Sequence, residues 1–215
     1  MKRPLLLGHR GAGASRHVPE NTLASFELCL THGCDGFEFD ARLSADGKAV
    51  IGHDATTRGM TIAKTPAKDL GLPELEEVLQ QFSSRGFLDI ELKVPGLEEL
   101  TLSALPAFPP GKGYVVSSFL PDVLRAVRGL DGAVPLGMLC ESSAQLRGWR
   151  ESSAEWVVPR FDLVNEALVK EFHATGKKIM VWTVNRADEM RRMGGWGVDA
   201  IISDETELLI RTLRR

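Results

Sequence analysis

Short apolar runs of strand length alternate along the chain with segments whose apolar residues recur at helical spacing. Such runs are typical of buried strands, and the three-to-four-residue recurrence is typical of helices packed on one side. The predicted strands are residues 5–9, 36–41, 87–94, 113–118, 134–140, 155–159, 178–184 and 199–203. The predicted helices that follow them are residues 22–31, 73–82, 97–105, 121–127, 143–149, 165–175, 187–193 and 205–213. Eight strands, each followed by a helix, predict an α/β protein with the (β/α)8 TIM-barrel fold.

An open, doubly wound sheet is the main alternative to the barrel. It needs no eighth unit, and it would favour a glycine-rich phosphate loop that opens a helix. The nearest match is Gly11-Ala12-Gly13, where no helix opens and no acidic partner follows at the required distance. The barrel is therefore the preferred fold. With 215 residues it is a short one, so we expect a single catalytic domain spanning residues 1–215.

One stretch departs from simple alternation. Residues 48–53 form a short apolar run after the turn at Asp46-Gly47, so residues 41–53 predict a hairpin-like excursion after the second strand. This excursion would carry His53 back over the mouth of the barrel.

The second predicted strand carries charge at alternate positions. Phe37 and Phe39 alternate with Glu38 and Asp40, so one face of the strand holds both rings and the other both carboxylates. A surface strand would show the same pattern. Acids recur, however, in the next apolar strand, which includes Glu91. Buried carboxylates without partners cost several kcal/mol each, roughly, so a group of them indicates a bound cation.

Polar residues at the carboxyl ends of barrel strands point into the catalytic mouth. Three acids converge there by this rule, and carboxylate oxygens without histidine or cysteine ligands favour Mg²⁺ or Ca²⁺. The alternative is that Glu91 only pairs with Lys93. The strand-end residues are His9 and Arg10 on the first strand, Glu38 and Asp40 on the second, Glu91 and Lys93 on the third, and Trp182 on the seventh.

Two histidines are candidates for proton transfer. His9 and His53 each stand beside charged residues at a predicted strand end, and imidazole titrates near working pH. Arg10 and Lys93 place positive charge beside the acids, which indicates an anionic substrate group such as phosphate. Trp182 is either a core aromatic or a wall against the carbon atoms of an alcohol.

Composition excludes several other functions. The net charge is −3, the pI is near 6.0 and no block of Lys or Arg occurs, so a nucleic-acid partner is not expected. No apolar run approaches the roughly 20 residues of a membrane span, and the N-terminal run is too short for a signal peptide.

A disulfide between Cys29 and Cys34 is conceivable, but buried free thiols in a reducing cytoplasm are the preferred interpretation. We expect a cytoplasmic protein, and its oligomeric state stays open.

Taken together, these residues closely resemble the glycerophosphodiester phosphodiesterase family. The resemblance runs through nearly the whole chain in the family's order, and its N-terminal third is the most specific part. The motifs that carry it are His9-Arg10-Gly11, Pro19-Glu20-Asn21-Thr22, Glu38-Phe39-Asp40, Asp46-Gly47, His53-Asp54, Pro73-Glu74-Leu75-Glu76-Glu77, Glu91-Leu92-Lys93, Ser117-Ser118-Phe119 and Trp182-Thr183-Val184-Asn185.

The resemblance implies a TIM barrel that hydrolyses glycerophosphodiesters to glycerol 3-phosphate and an alcohol with one divalent cation, Mg²⁺ or Ca²⁺. Such an enzyme takes part in lipid and glycerol metabolism. The implied roles, by position, are Glu38, Asp40 and Glu91 as metal ligands, His9 and His53 as the acid–base pair, Arg10 and Lys93 on the phosphate, and Trp182 on the glycerol.

The chain departs from the family's pattern mainly after His53-Asp54, where the segment up to Pro73 is abbreviated. This leaves the alcohol specificity open. A phosphodiesterase acting on lysophospholipids is one alternative, but residues 56–72 offer only Met60, Ile62, Leu70 and Leu72 for an apolar rim. A barrel that binds a polyol phosphate without turnover is another, although no acid or histidine of the set is missing.

Overall fold

The computed structural model describes residues 3–214, and a ring of strands organises this part of the chain. The strands are β1 Leu5–Gly8, β2 Gly36–Leu43, β3 Ala49–Ile51, β4 Thr56–Thr57, β5 Met60–Thr61, β6 Phe87–Leu92, β7 Tyr114–Ser118, β8 Leu136–Cys140, β9 Trp156–Pro159, β10 Lys178–Val181 and β11 Ala200–Ser203. The helices are α1 Leu23–Thr31, α2 Ala67–Leu70, α3 Leu75–Phe82, α4 Glu98–Ala104, α5 Pro121–Leu130, α6 Ser143–Leu146, α7 Glu166–Ala174, α8 Ala187–Trp196 and α9 Thr206–Leu213. Short 3-10 helices cover Ile62–Lys64, Arg147–Arg150 and Phe161–Leu163.

Within residues 3–214, eight parallel strands close into a barrel in the order β1, β2, β6, β7, β8, β9, β10, β11. The ring is closed by the parallel pairing of β11 with β1, in which Leu5 lies opposite Ala200 and Gly8 opposite Ser203. The prediction of a (β/α)8 barrel is therefore confirmed, and the open sheet is wrong.

The excursion after the second strand has the predicted form. β3 runs antiparallel to the end of β2, with Ala41 opposite Ile51. The small ribbon of β4 and β5 that follows was not predicted, because each of its strands has only two residues. Ile62 and Leu70 are buried with Val50 in a small cluster beneath this segment. Its apolar residues therefore stabilise the excursion itself.

The alternation in β2 sorts the side chains between two sides of the barrel wall. Phe37 faces outward and stacks on Phe26 of α1 with ring centroids 4.3 Å apart, and it meets the edge of Phe82 of α3 at 5.3 Å. Glu38 and Asp40, on the opposite face, are turned into the barrel. The surface-strand interpretation is wrong, since both acids are buried.

Several predicted boundaries shift where the chain turns at the carboxyl edge of the barrel. The seventh barrel strand ends at Val181 instead of residue 184, so Trp182 stands just beyond β10 and makes a single bridge to Arg160. The first strand ends at Gly8, because the chain turns sharply there. A Cβ atom on Gly8 would overlap the carbonyl oxygen of Gly11, so only glycine fits the turn that presents His9.

Candidate active site

Three carboxylates meet at the carboxyl edge of β2 and β6. Asp40 and Glu91 are register partners in the parallel pair, and Glu38 lies one barrel layer deeper on β2. One oxygen from each of the three acids lies within 4.8 Å of the others. Their exposed fractions are 5%, 1% and 7% for Glu38, Asp40 and Glu91. This arrangement could hold a metal ion.

The hydrogen bonds of these acids leave one buried oxygen free. Glu38 Oε2 accepts from the backbone N–H of Arg10 at 3.0 Å, and Asp40 Oδ2 accepts from Asn21 Nδ2 at 2.8 Å. Within residues 3–214, the buried Oε1 atom of Glu38 has no hydrogen-bond partner. A buried carboxylate oxygen without a partner lowers the stability of the fold unless a cation binds to it.

Lys93 lies between two of the acids. Its Nζ forms ion pairs with Glu91 Oε1 at 2.7 Å and with Asp40 Oδ1 at 3.2 Å. The pairing of Glu91 with Lys93 therefore exists, yet it does not separate Glu91 from the other carboxylates. Both groupings occur together.

The pKa values of the three acids are shifted in different directions by burial and by the neighbouring charges. Burial, followed by repulsion from Asp40 and Glu91, raises the pKa of Glu38 well above its usual range. Burial and Asp40 raise the pKa of Glu91 to about 8, against the opposing effect of Lys93. Burial alone would also raise the pKa of Asp40, but Lys93, Asn21 and Arg10 together lower it. Asp40 is thus the carboxylate that the protein itself keeps charged.

Arg10 adds a second cation to this edge. Its Nε lies 3.4 Å from Asp40 Oδ2, and its Nη1 donates to Glu20 Oε1 at 2.8 Å. Its φ is +53°, in the left-handed region that non-glycine residues rarely adopt. The same backbone conformation directs its N–H to Glu38, so local strain is coupled to the placement of the acid.

The imidazole of His9 is oriented by Asp204, which directly follows the last barrel strand, β11. Its Nδ1 lies 2.7 Å from Asp204 Oδ1, and its Nε2 lies 3.9 Å from Glu38 Oε2. Asn185 Nδ2 donates to Asp204 Oδ2 at 2.7 Å, and the Asp204 N–H donates back to Asn185 Oδ1 at 2.9 Å. Burial would raise the pKa of Asp204, but His9, Asn185 and Arg10 together lower that pKa. The imidazole is fixed with Nε2 toward the carboxylates.

His53 is supplied by the excursion after β2 and β3. Its Nδ1 lies 2.8 Å from Asp54 Oδ1, and its carbonyl accepts from Arg42 Nε at 2.8 Å. The bond to His53 lowers the pKa of Asp54. Both histidines are therefore held through Nδ1 by a carboxylate.

Most of these groups line a cavity of about 290 Å³, and one of its walls is apolar. Trp182 and Phe119 pack at 80° with ring centroids 5.6 Å apart, and Trp182 Nε1 donates to the Val158 carbonyl at 2.9 Å. The residues lining the cavity are His9, Arg10, Glu38, His53, Glu91, Lys93, Phe119, Leu139, Glu141, Trp182 and Ile202.

The structure brings all eight predicted site residues to one edge of the barrel: His9, Arg10, Glu38, Asp40, His53, Glu91, Lys93 and Trp182. Sequence reasoning did not assign Asp204 to the site. Asp204 directly follows β11, so the rule that strand-end polar residues face the mouth could have identified it. Sequence reasoning also gave Asn21 no role in the site: Thr22 caps α1, and the Asn21 side-chain amide donates to Asp40.

Fold and site together define a (β/α)8-barrel enzyme with a centre that could hold a divalent cation. The profile of the Glycerophosphoryl diester phosphodiesterase family matches residues 9–107 and 110–208. The chain belongs to this family, which confirms both the resemblance and the expectation of a phosphodiesterase.

Relatives and solved structures agree with this assignment. A Glycerophosphodiester phosphodiesterase of Caldanaerobacter subterraneus subsp. tengcongensis is 30% identical over 243 residues, covering 99% of each chain. An Oleispira antarctica phosphodiesterase, solved in complex with the product sn-glycerol-3-phosphate, has a TM-score of 0.86 at 25% identity, covering 99% of this chain and 98% of that one. A glycerophosphodiester phosphodiesterase from Thermotoga maritima has a TM-score of 0.84 at 24% identity, covering 98% of this chain and 99% of that one, and shows the shared fold.

Among residues 3–214, no helix combines the length and apolar content needed to cross a bilayer.

Proposed function

We propose that the barrel hydrolyses glycerophosphodiesters to sn-glycerol 3-phosphate and an alcohol, with one divalent cation held by Glu38, Asp40 and Glu91. The observation that carries this proposal is the convergence of three buried carboxylates, within 4.8 Å, beside two carboxylate-held histidines. The product bound to the Oleispira antarctica phosphodiesterase supports the choice of product.

The carboxylates of the cluster suit a hard cation. Glu38 Oε1 lacks a hydrogen-bond partner within residues 3–214, and an all-carboxylate donor set favours Mg²⁺ or Ca²⁺. When bound, the cation supplies Lewis-acid polarisation of a phosphate oxygen and neutralises charge that develops there. The protein's part is to keep three anionic side chains together in a buried position.

Two side-chain cations complete the phosphate site. Lys93 Nζ lies beside Asp40 and Glu91, and the Arg10 guanidinium lies beside Asp40. Each can donate to non-bridging phosphate oxygens from its present position at the rim of the acids. Trp182 places an apolar surface over the carbon atoms of the glycerol.

The histidines move the protons. One takes a proton from the attacking hydroxyl, and the other gives a proton to the leaving alcohol. Asp204 keeps the His9 Nδ1 occupied, so its Nε2 is the working atom, and Asp54 does the same for His53. Attack by the glycerol 2-hydroxyl gives a cyclic phosphate that water then opens, whereas direct attack by water gives the monoester in one step. Trapping the cyclic phosphate separates these two routes.

The test is turnover of glycerophosphocholine and glycerophosphoethanolamine, followed by coupled detection of sn-glycerol 3-phosphate. Chelation with EDTA should abolish turnover, and Mg²⁺ or Ca²⁺ should restore it. His9→Ala should be inactive, while the matched control His173→Ala should be fully active, since His173 pairs with Asp199 at the opposite edge of the barrel. Full activity in the chelator, or in His9→Ala, would contradict the proposal.

A further inference from the structure

A cavity of about 530 Å³ lies at the edge of the barrel where the strands begin, opposite the edge that carries the histidines and the carboxylates. Its volume is within the range of about 300–1,000 Å³ that small-molecule sites occupy. It shares no lining residue with the catalytic cavity. We refer to it as the basal cavity, and the lining side chains that matter here are Arg3, Phe87, Lys112, Trp156, Lys178 and Trp196.

Aromatic rings form the apolar part of the basal cavity. Phe87 and Trp156, at the starts of β6 and β9, are buried with their ring centroids 6.0 Å apart. Trp196 is the last residue of α8, and Gly197 ends that helix in the left-handed conformation with φ of +81°. Trp196 is only partly buried, so its indole presents a flat apolar surface to the cavity.

The lining carries more positive than negative charge. Arg3, Lys112 and Lys178 contribute three cations from three separate segments, and Asp199 is the one carboxylate among the described lining residues. Asp199 Oδ2 already lies 2.9 Å from His173 Nε2. With a neutral histidine the formal charge of the lining is therefore +2, although the chain as a whole carries −3.

Two of these cations take no part in structural contacts with oxygen atoms. In the part of the chain that the structure describes, the lysine ion pairs and hydrogen bonds involve other lysines, and Lys112 and Lys178 have none. Lys177 shows the contrast, because its Nζ donates to the carbonyls of Ser152 and Ala154. Capping of backbone carbonyls thus explains Lys177 and does not explain its neighbour.

The positive charge is also held in position. Lys178 Nζ lies over the Trp156 ring, 5.0 Å from its centroid. Arg3 Nη2 donates to Asp35 Oδ1 at 3.1 Å, but the same oxygen accepts from Arg214 Nη2 at 2.6 Å, so one carboxylate faces two guanidinium groups. Side chains that are placed before a ligand arrives lose less conformational entropy when it binds. The cavity is therefore preorganised for an anion.

We propose that the basal cavity binds a nucleoside diphosphate or triphosphate, as a second ligand site separate from the hydrolytic one. Cations on three segments suit a ligand with several negative charges, because neighbouring phosphates can contact more than one of them. The indole of Trp196 supplies a surface on which a base can stack. A sugar phosphate would meet the cations and leave the aromatic lining unused.

The experiment measures binding of ADP to the full chain by calorimetry in the presence of EDTA, which prevents the phosphates from bridging to a cation at the carboxylates. ADP should bind once per chain with a Kd of about 0.1 mM. Saturating sn-glycerol 3-phosphate should change that Kd less than twofold, since the two cavities share no residue. Ribose 5-phosphate should bind at least about tenfold more weakly, because it lacks the stacking base.

Single-charge variants locate the site. Lys178→Ala and Lys112→Ala should each weaken ADP binding about tenfold, as expected for the loss of one hydrogen bond from a charged donor. The matched control is Lys68→Ala, which removes the same charge from an exposed position on α2, in the excursion at the other edge of the barrel. Its Kd for ADP should stay within twofold of the wild type.

Every other outcome overturns the inference. Absence of ADP binding to the wild type removes the site, and displacement by sn-glycerol 3-phosphate places the ligand in the catalytic cavity. An equal loss in Lys68→Ala and Lys178→Ala shows a general charge effect, and ribose 5-phosphate binding as tightly as ADP removes the nucleoside assignment. Lys112 and Lys178 lie on separate segments, so one variant decides if the other does not fold. Because binding is measured without turnover, failure of the proposed hydrolysis leaves this inference standing.

Discussion

Replacing Asp89 with asparagine should stabilise the protein at alkaline pH and have little effect near pH 4. Asp89 is fully buried on β6, inside the barrel. Ser117 Oγ donates to its Oδ1 at 2.6 Å, and its Oδ2 has no hydrogen-bond partner among residues 3–214. Burial, opposed by the Ser117 hydrogen bond, raises its pKa from 3.8 to about 7.

The size of the effect follows from this pKa. Because the folded pKa exceeds the unfolded one, the contribution of Asp89 to stability is complete below pH 3.8 and is lost as the pH rises to about 7. At about 1.4 kcal/mol per pKa unit, the loss amounts to about 4 kcal/mol. Asparagine has the shape of the protonated acid and can keep the Ser117 hydrogen bond, so it avoids this loss.

Urea unfolding at several pH values between 4 and 8.5, in chelator, measures the difference in unfolding free energy. We expect Asp89→Asn to exceed the wild type by less than about 1 kcal/mol near pH 4 and by about 4 kcal/mol at pH 8.5. Asp69→Asn, an exposed acid on α2, is the matched control and should show no such trend. Equal stability of Asp89→Asn and wild type at pH 8.5 would refute the reasoning.

Three further predictions concern the metal centre, His9 and the thiols. Glu38→Gln should weaken Ca²⁺ binding, measured by calorimetry, more than about tenfold, since loss of even an outer-shell partner lowers metal affinity by about that factor. Burial raises the pKa of Glu38. Ca²⁺ binding to the wild type should therefore release protons and become tighter as the pH rises. Asp204→Asn should lower kcat about 100-fold with little change in KM or Ca²⁺ affinity, because it releases Nδ1 of the histidine. Cys29, Cys34 and Cys140 are free and buried, so a thiol reagent should modify none in the native protein and all three in urea.

Each of these has a contrary outcome. Unchanged Ca²⁺ affinity in Glu38→Gln would remove that residue from the proposed ligand set. A parallel loss of kcat and Ca²⁺ affinity in Asp204→Asn would make Asp204 a residue of general structural importance and not a positioning residue. Rapid modification of the native protein would show that a thiol is accessible, against the burial that raises the pKa of Cys140 to about 12.

Local patterns predicted the parts of the molecule that depend on neighbours in sequence. The alternation of Phe37 and Phe39 with Glu38 and Asp40 predicts that the rings and the acids lie on opposite faces of β2. In the structure the rings pack against the helices and the acids lie inside the barrel. Parallel strands then bring their ends to one edge, which places Glu91 with the other two acids without further information.

Features that depend on contacts between residues far apart in sequence were not predicted. Asp204 and His9 are 195 residues apart in sequence, and nothing near either residue marks the other as its partner. Asn21 and Thr22 are both good caps by type, and only the left-handed backbone of Asn21, with φ of +55°, turns its amide to Asp40. The predicted helix 143–149 is in the structure one turn of α-helix followed by a 3-10 segment, because its packing against the barrel is not visible in its own sequence.

The pairing of β11 with β1 has a consequence for the order in which the protein becomes active. The carboxylate cluster comes from β2 and β6, which are adjacent in the ring and close in sequence. The contact of His9 with Asp204 instead joins the first and last units across the seam where the ring closes. Contacts between such distant residues carry the largest loop-closure cost. Any state of the chain with that seam open would keep its acids together but leave His9 unoriented, so recovery of turnover during refolding should report the closing of the ring.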